Sequence, residues 1–158
     1  MSMTVLAVGR LREKPFREMA DEYLKRLSRF GKVREIEVAD LPEGSGSPAE
    51  EARIREREGE ELLSRIRPGD HVVALTIGGR KFDSPGISRR LGELRLSGES
   101  SLVFVIGGSL GLGENLLRRA DEEWSMSDLT FPHQLARVML LEQLYRAEKI
   151  AAGERYHK

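Results

Sequence analysis

Short apolar runs alternate with longer amphipathic stretches along the whole chain. Thr4-Val-Leu-Ala-Val8 is apolar and ends at Gly9, which reads as a buried strand. From Phe16 to Phe30, Phe16, Met19, Ala20, Tyr23, Leu24 and Leu27 recur at helical spacing and predict an amphipathic helix. Val33-Arg-Glu-Ile-Glu-Val38 alternates apolar and charged residues, the period of a strand with one wetter face. Leu41 to Pro48 is rich in Gly, Ser and Pro and reads as a loop. Ala49 to Arg67 is densely charged, with Ile54, Leu62, Leu63 and Ile66 as sparse apolar points. It predicts a solvated helix laced with Glu/Arg pairs three and four apart. Pro68-Gly-Asp70 stops it, and His71 to Ile77 is a third strand. Ser84-Pro85 looks like a helix start with serine as cap; that helix runs to about Leu96 and ends at Gly98. Ser101 to Ile106 is the most apolar strand, as expected of a central position in a parallel sheet. A glycine-rich turn spans Gly107 to Gly113, and a helix begins near Glu114. Trp124 to Ser127 is a short last strand, and Pro132 opens a long helix to about Ala152. Strand and helix thus alternate throughout, which predicts one α/β domain with a mostly parallel sheet over residues 1–158.

Composition narrows the function classes. The chain has 158 residues with 26 Lys plus Arg against 26 Asp plus Glu, so no global field draws in nucleic acid. A local basic face on a structured RNA is still compatible with that balance. There is no cysteine, which excludes disulfides and thiolate metal sites, and three scattered histidines, His71, His133 and His157, are a poor basis for zinc. No apolar run approaches the roughly 20 residues of a membrane span, and Met1 to Arg10 lacks the pattern of a signal peptide. The expectation is a cytoplasmic protein with no metal and no membrane partner.

Four segments carry candidate chemistry. Gly107-Gly-Ser-Leu-Gly-Leu-Gly113 follows the predicted central strand, at the sheet end where α/β proteins bind ligands. Its spacing fits neither the dinucleotide fingerprint nor the phosphate loop, so it is either a ligand-facing turn or a plain tight turn. Trp124 to His133 offers small hydroxyl residues and backbone groups for a flat ring. His133 there stands at a helix N-terminus, which favours neutral imidazole; it can exchange a proton near pH 7 or simply face solvent. Gln134 to Ile150 is apolar over most of its circumference, which predicts burial on nearly all sides and points to a dimer interface. Within it Glu142 and Arg146 are four apart and can pair. The terminus Arg155-Tyr-His-Lys158 suits RNA contact by stacking and phosphate pairing, or is a frayed tail.

Together these segments closely resemble the ribosomal RNA large subunit methyltransferase H (RlmH) family of SPOUT methyltransferases. The resemblance runs through Val5-Leu-Ala-Val-Gly9, Tyr23-Leu-Lys-Arg26, Glu58-Gly-Glu60, Ile106-Gly-Gly108, Leu129-Thr-Phe-Pro-His133, Glu142-Gln-Leu-Tyr-Arg-Ala147 and Tyr156-His157, in order and over essentially the whole chain. It implies a SPOUT α/β knot, with a deep C-terminal trefoil knot, and a homodimer. It also implies S-adenosylmethionine as cofactor, and methylation of N3 of a pseudouridine in 23S ribosomal RNA on the assembled ribosome. Carried over by position, the cofactor site comprises Leu75, Gly108, Ser127, Asp128, Leu129, Thr130, Phe131 and Pro132. His133, Arg146, Tyr156 and His157 face the target nucleotide, and Glu142 orients Arg146. Ser109 and Arg155 depart from the family pattern, which has proline or alanine and proline at those places. The N3 proton has three candidate acceptors: His133, His157 or water. Another RNA, such as a transfer RNA, and a catalytically silent ribosome-associated dimer are the rival readings.

Overall fold

The computed structural model describes residues 1–158. Five parallel strands form one sheet: β1 (Ser2–Val8), β2 (Val33–Val38), β3 (His71–Lys81), β4 (Ser101–Ile106) and β5 (Glu122–Ser125). Their order is β2-β1-β4-β3-β5, so the apolar β4 is central, and all six of its residues are buried. Two-sided burial is what made it apolar on both faces.

Helices α1 (Lys14–Leu27), α3 (Ser84–Leu96) and α5 (His133–Ala151) cover one face; α2 (Pro48–Leu63) and α4 (Glu114–Arg119) cover the other. Strand alternation sorts the core between them. Val5, Ala7, Phe104 and Ile106 point toward α1, α3 and α5, while Leu6, Val8, Val103 and Val105 point toward α2 and α4.

Several boundaries differ from the sequence reading, each for a local reason. Asp83, not Ser84, caps α3: its carboxylate accepts from Gly86 N at 2.7 Å. Ser84 is freed to donate to Gln143 Oε1 at 2.7 Å, tying α3 to α5. Pro48 already lies in α2, whose cap is Ser47, accepting from Glu50 N. That helix ends at Leu63, and Ile54, Glu58, Gly59 and Leu62 are buried, so it is less solvated than its charge suggests. Met19 stays 41% exposed, because α1 meets the core through Ala20 and Leu27. β5 begins two residues early, where Glu122 pairs with Val73 and anchors to Arg90 and His71. Met126 and Ser127 therefore leave the sheet. β3 runs four residues past its expected end, through a register break between Leu75 and Arg80.

Helix α5 packs against α1 and α3 of the same chain, burying Val138, Leu140, Leu141, Leu144, Tyr145 and Ala147. Leu135, Met139 and Ile150 of the same helix stay partly exposed, so its apolar girth is covered within one chain over part of the circumference only.

Candidate active site

A cavity of about 690 Å³ opens at the carboxyl ends of β3, β4 and β5. This is where open α/β sheets place ligands, and the volume lies in the usual range for a small-molecule site. Three segments wall it: the end of β3 from Leu75 to Ile77, the turn from Gly107 to Leu112, and the stretch leaving β5, with Ala136 of α5 beside them.

The glycine turn closes on itself. Gly111 N donates to Gly108 O at 3.1 Å, and Gly111 has φ +83°, a left-handed conformation that favours glycine. A Cβ on Gly107 would stand 2.7 Å from the Gly111 carbonyl carbon. The segment is therefore both a tight turn and a cavity wall. Gly108 lines the cavity with its backbone; a Cβ there would press on Val8 Cγ1 at 3.1 Å, toward the core. Ser109, one of the two departures, donates its hydroxyl to Glu43 at 2.6 Å and so ties the turn to the loop before α2. Glu58 steadies that loop from beneath, accepting from Leu41 N at 3.0 Å; burial pushes its carboxyl above the ordinary range.

The stretch after β5 braces itself. Ser125 Oγ donates to Ser127 O at 3.0 Å, and Leu129 N donates to Ser127 Oγ at 3.0 Å. Of the expected cofactor residues, Leu75, Gly108, Ser127, Leu129, Thr130, Phe131 and Pro132 all line the cavity. Asp128 does not: its carboxylate turns outward into an ion pair with Lys81. Thr76 was not expected from sequence. It lines the same cavity, and its buried hydroxyl oxygen has no hydrogen-bond partner. Such an orphan is a ready contact for a polar ligand.

His133, the first residue of α5, also lines the cavity; its Nε2 is 3.9 Å from where a Cβ on Gly9 would stand. One turn later Arg137 is completely buried. It donates to Gly9 O at 2.8 Å, pairs with Glu37, and lies 3.6 Å from Glu35. Arg17 meets Glu35 from the other side at 2.7 Å. This buried network pins the start of α5, and hence His133, to the ends of β1 and β2. Sequence reasoning missed it. The available signals were an arginine among the core positions of α5 and the two glutamates of β2.

Arg146, Tyr156 and His157 form a second group around Glu142. One oxygen of Glu142 accepts from Arg146 Nε and Nη2 at 3.0 and 2.6 Å and from the Tyr156 hydroxyl at 3.1 Å. The Arg146 guanidinium lies 4.6 Å from the Tyr156 ring centre, and that ring meets Tyr145 edge-on at 4.9 Å. Arg146 Nη1 is 3.4 Å from His157 Nδ1. The tail is therefore docked. Burial, and then the Glu142 carboxylate, push the Tyr156 phenol up to about 12, so it is a neutral donor at ordinary pH. The Glu142 hydrogen bond holds Arg146 more firmly protonated.

This second group does not line the main cavity. His157 borders an adjoining cavity of about 590 Å³, which shares Leu75, Trp124, Ser125 and Met126 with the first. Within one chain, His133 and the tail group thus stand on two sides of a common wall.

The family described as "Predicted SPOUT methyltransferase" matches residues 1–157. Curated relatives align end to end. A protein of Desulfitobacterium hafniense (strain DSM 10664 / DCB-2) is 48% identical, covering 100% of this chain and 99% of its own length. One of Pelotomaculum thermopropionicum is 52% identical over 98% of both chains. One of Bifidobacterium animalis subsp. lactis is 51% identical over 100% of both. All three bear the name ribosomal RNA large subunit methyltransferase H.

Proposed function

The chain belongs to the SPOUT methyltransferase family, and from that premise we propose that it transfers the methyl group of S-adenosylmethionine to N3 of a pseudouridine in 23S ribosomal RNA on the assembled ribosome. The observation that carries the reading is the main cavity. Its walls include the glycine turn and the Ser127–His133 stretch, two of the segments on which the family resemblance rests.

The donor set suits the cofactor. The walls are largely apolar, as an adenine ring and a thioether chain require. Backbone groups of the turn and the orphaned Thr76 hydroxyl supply polar contacts. Leu75, Thr76, Gly108, Leu129, Thr130 and Phe131 would hold it. When bound, S-adenosylmethionine supplies an already activated sulfonium methyl group. The protein's remaining task is to strip and orient the nucleophile. N3 of a uracil-type ring carries a proton at neutral pH and must lose it. Tyr156 stays protonated to about 12 and cannot be the acceptor, which leaves His133, His157 or water. Arg146, held charged by Glu142, can offset the ring's developing negative charge.

The split between His133 and the tail group supports a homodimer in which the tail of one copy faces the cofactor cavity of the other. We read residues 1–158 as a single SPOUT domain whose last segment, from Met126 through α5, threads a deep trefoil knot. The ribosomal substrate places the reaction in the cytoplasm. No helix is long and apolar enough to cross a membrane.

Mass spectrometry of 23S ribosomal RNA from cells with and without the gene tests the reading: one methylated pseudouridine should disappear. Loss of a methyl group from transfer RNA instead would redirect it to another substrate. Absence of S-adenosylmethionine binding by calorimetry would leave only a silent scaffold.

A further inference from the structure

Beside the cofactor cavity lies a smaller basic pocket of about 200 Å³, lined by Arg80, Lys81, Phe82, Asp83, Arg89 and Arg90, among others. Three of its cations are already committed. Lys81 pairs with Asp128, Arg89 lies 3.8 Å from Asp83, and Arg90 donates to Glu122 at 3.0 Å and to Glu93 at 2.8 Å. Arg80 alone has no carboxylate partner; its guanidinium rests on the Phe82 ring, 4.4 Å from the centre. An exposed cation held in place by an aromatic ring, rather than neutralised by a carboxylate, keeps its charge available to a ligand.

The backbone places it rigidly. After the break between Leu75 and Arg80, β3 rejoins β5 with Arg80 beside Trp124 and Lys81 beside Ser125. The approach is so close that a Cβ on Gly79 would stand 2.6 Å from the Trp124 carbonyl carbon. Phe82 packs at a tilt against Trp124, ring centres 4.9 Å apart, and Trp124 lines the cofactor cavity. Arg80 therefore sits one aromatic pair away from that cavity. The four cations at this rim face Asp83, Glu93, Glu122 and Asp128, so what the corner offers a ligand is the unpaired Arg80 guanidinium rather than a net positive field.

We propose that the Arg80–Phe82 corner, with Lys81 and Arg89, is a phosphate-reading subsite that grips the RNA backbone next to the target nucleotide. The inference rests on the RNA-methyltransferase reading and deepens it. A single backbone phosphate suits both the pocket's size and its one uncommitted guanidinium, which can donate two parallel hydrogen bonds to phosphate oxygens. Lys81 adds coupling: its partner Asp128 belongs to the stretch that walls the cofactor cavity, so phosphate docking and the cofactor loop share one ion pair.

The experiment compares the full-length protein with Arg80→Glu, Arg80→Ala and Arg80→Lys, using assembled ribosomes and S-adenosylmethionine. Arg80 lies on the surface, so the variants should fold. Arg80→Glu should raise the KM for ribosomes roughly tenfold with kcat and S-adenosylmethionine affinity unchanged. Arg80→Ala should lower the slope of log affinity against log salt by about 1, the signature of one lost phosphate contact. Arg80→Lys should keep most of the affinity. An unaltered KM and salt slope in Arg80→Glu would overturn the proposal. So would a fall in S-adenosylmethionine affinity, which would assign the pocket to the cofactor. If the protein methylates a different RNA with the same dependence on Arg80, the phosphate subsite stands and the ribosomal reading falls. If it methylates no RNA at all, both fall.

Discussion

Glu142 holds Arg146 and Tyr156 at once, through a single carboxylate oxygen. Replacing it with alanine frees the guanidinium to rotate and removes the phenol's acceptor, while leaving the main cavity's walls untouched. Methyl transfer by Glu142→Ala should fall at least about tenfold, equivalent to about 1.4 kcal/mol at the transition state, with S-adenosylmethionine affinity preserved. Single-turnover kinetics together with calorimetry separate the two. The cavity needs a different probe. Gly108 is a poor one, since a side chain there would push on Val8 before it entered the pocket. Ala136, on the wall, is better: Ala136→Trp should fill the space and weaken S-adenosylmethionine binding at least about a hundredfold, about 2.8 kcal/mol, without unfolding the protein. Calorimetry and a melting curve on the same sample check this.

Elements are held in register by buried charge as much as by apolar packing. Arg137→Ala would leave the partly exposed Glu37 with Arg17 at 3.9 Å and the Leu11 N–H, and the buried Glu35 with Arg17 alone. Removing a fully buried side chain and its pairing with two carboxylates that Arg17 then meets alone should cost about 2 kcal/mol, which urea denaturation would show. The histidine at the head of α5 should move with it, seen as a shifted His133 imidazole resonance. At the sheet edge, burial alone would push the Glu122 carboxyl up. The Arg90, His71 and Trp124 hydrogen bonds outweigh this and hold it below the ordinary 4.5. A carboxylate lowered by folding stabilises the protein above that ordinary value and loses the contribution as pH falls through the depressed one. The melting-temperature gap between the native chain and Glu122→Gln should therefore be full at pH 7 and close on acidification below the carboxylate range. A gap independent of pH would refute this account of the β5 edge.

At the scale of the molecule, the arrangement of the two cavities makes a prediction about assembly. If the tail of one copy completes the cofactor cavity of the other, two inactive variants should rescue each other. Mixing Ala136→Trp, which blocks the cavity, with Arg146→Ala, which disables the tail, yields mixed dimers with one intact composite site. Random exchange in a two-fold dimer should restore about a quarter of native activity. No rescue, with mixed dimers present, would confine each site to one chain. Light scattering showing only a particle of one 17.8 kDa chain would remove the dimer altogether.

The alternation of apolar runs and amphipathic stretches determined the α/β class and the central place of Ser101–Ile106, because burial on both faces demands apolar residues on both. The glycine turn and the Ser127–His133 stretch stood out as candidates, since small residues announce themselves locally, and both line the main cavity. Arg137 did not stand out, because its meaning lies with Glu37, 100 residues away, and at that distance periodicity carries no signal. The same holds for Asp128, whose partner Lys81 is reached only through the register break in β3. It holds too for α5, part of whose apolar girth is covered by α1 and α3 of the same chain. Local chemistry is written in neighbouring residues, whereas the pairing of distant charges and the docking partner of a helix exist only once the chain has closed on itself.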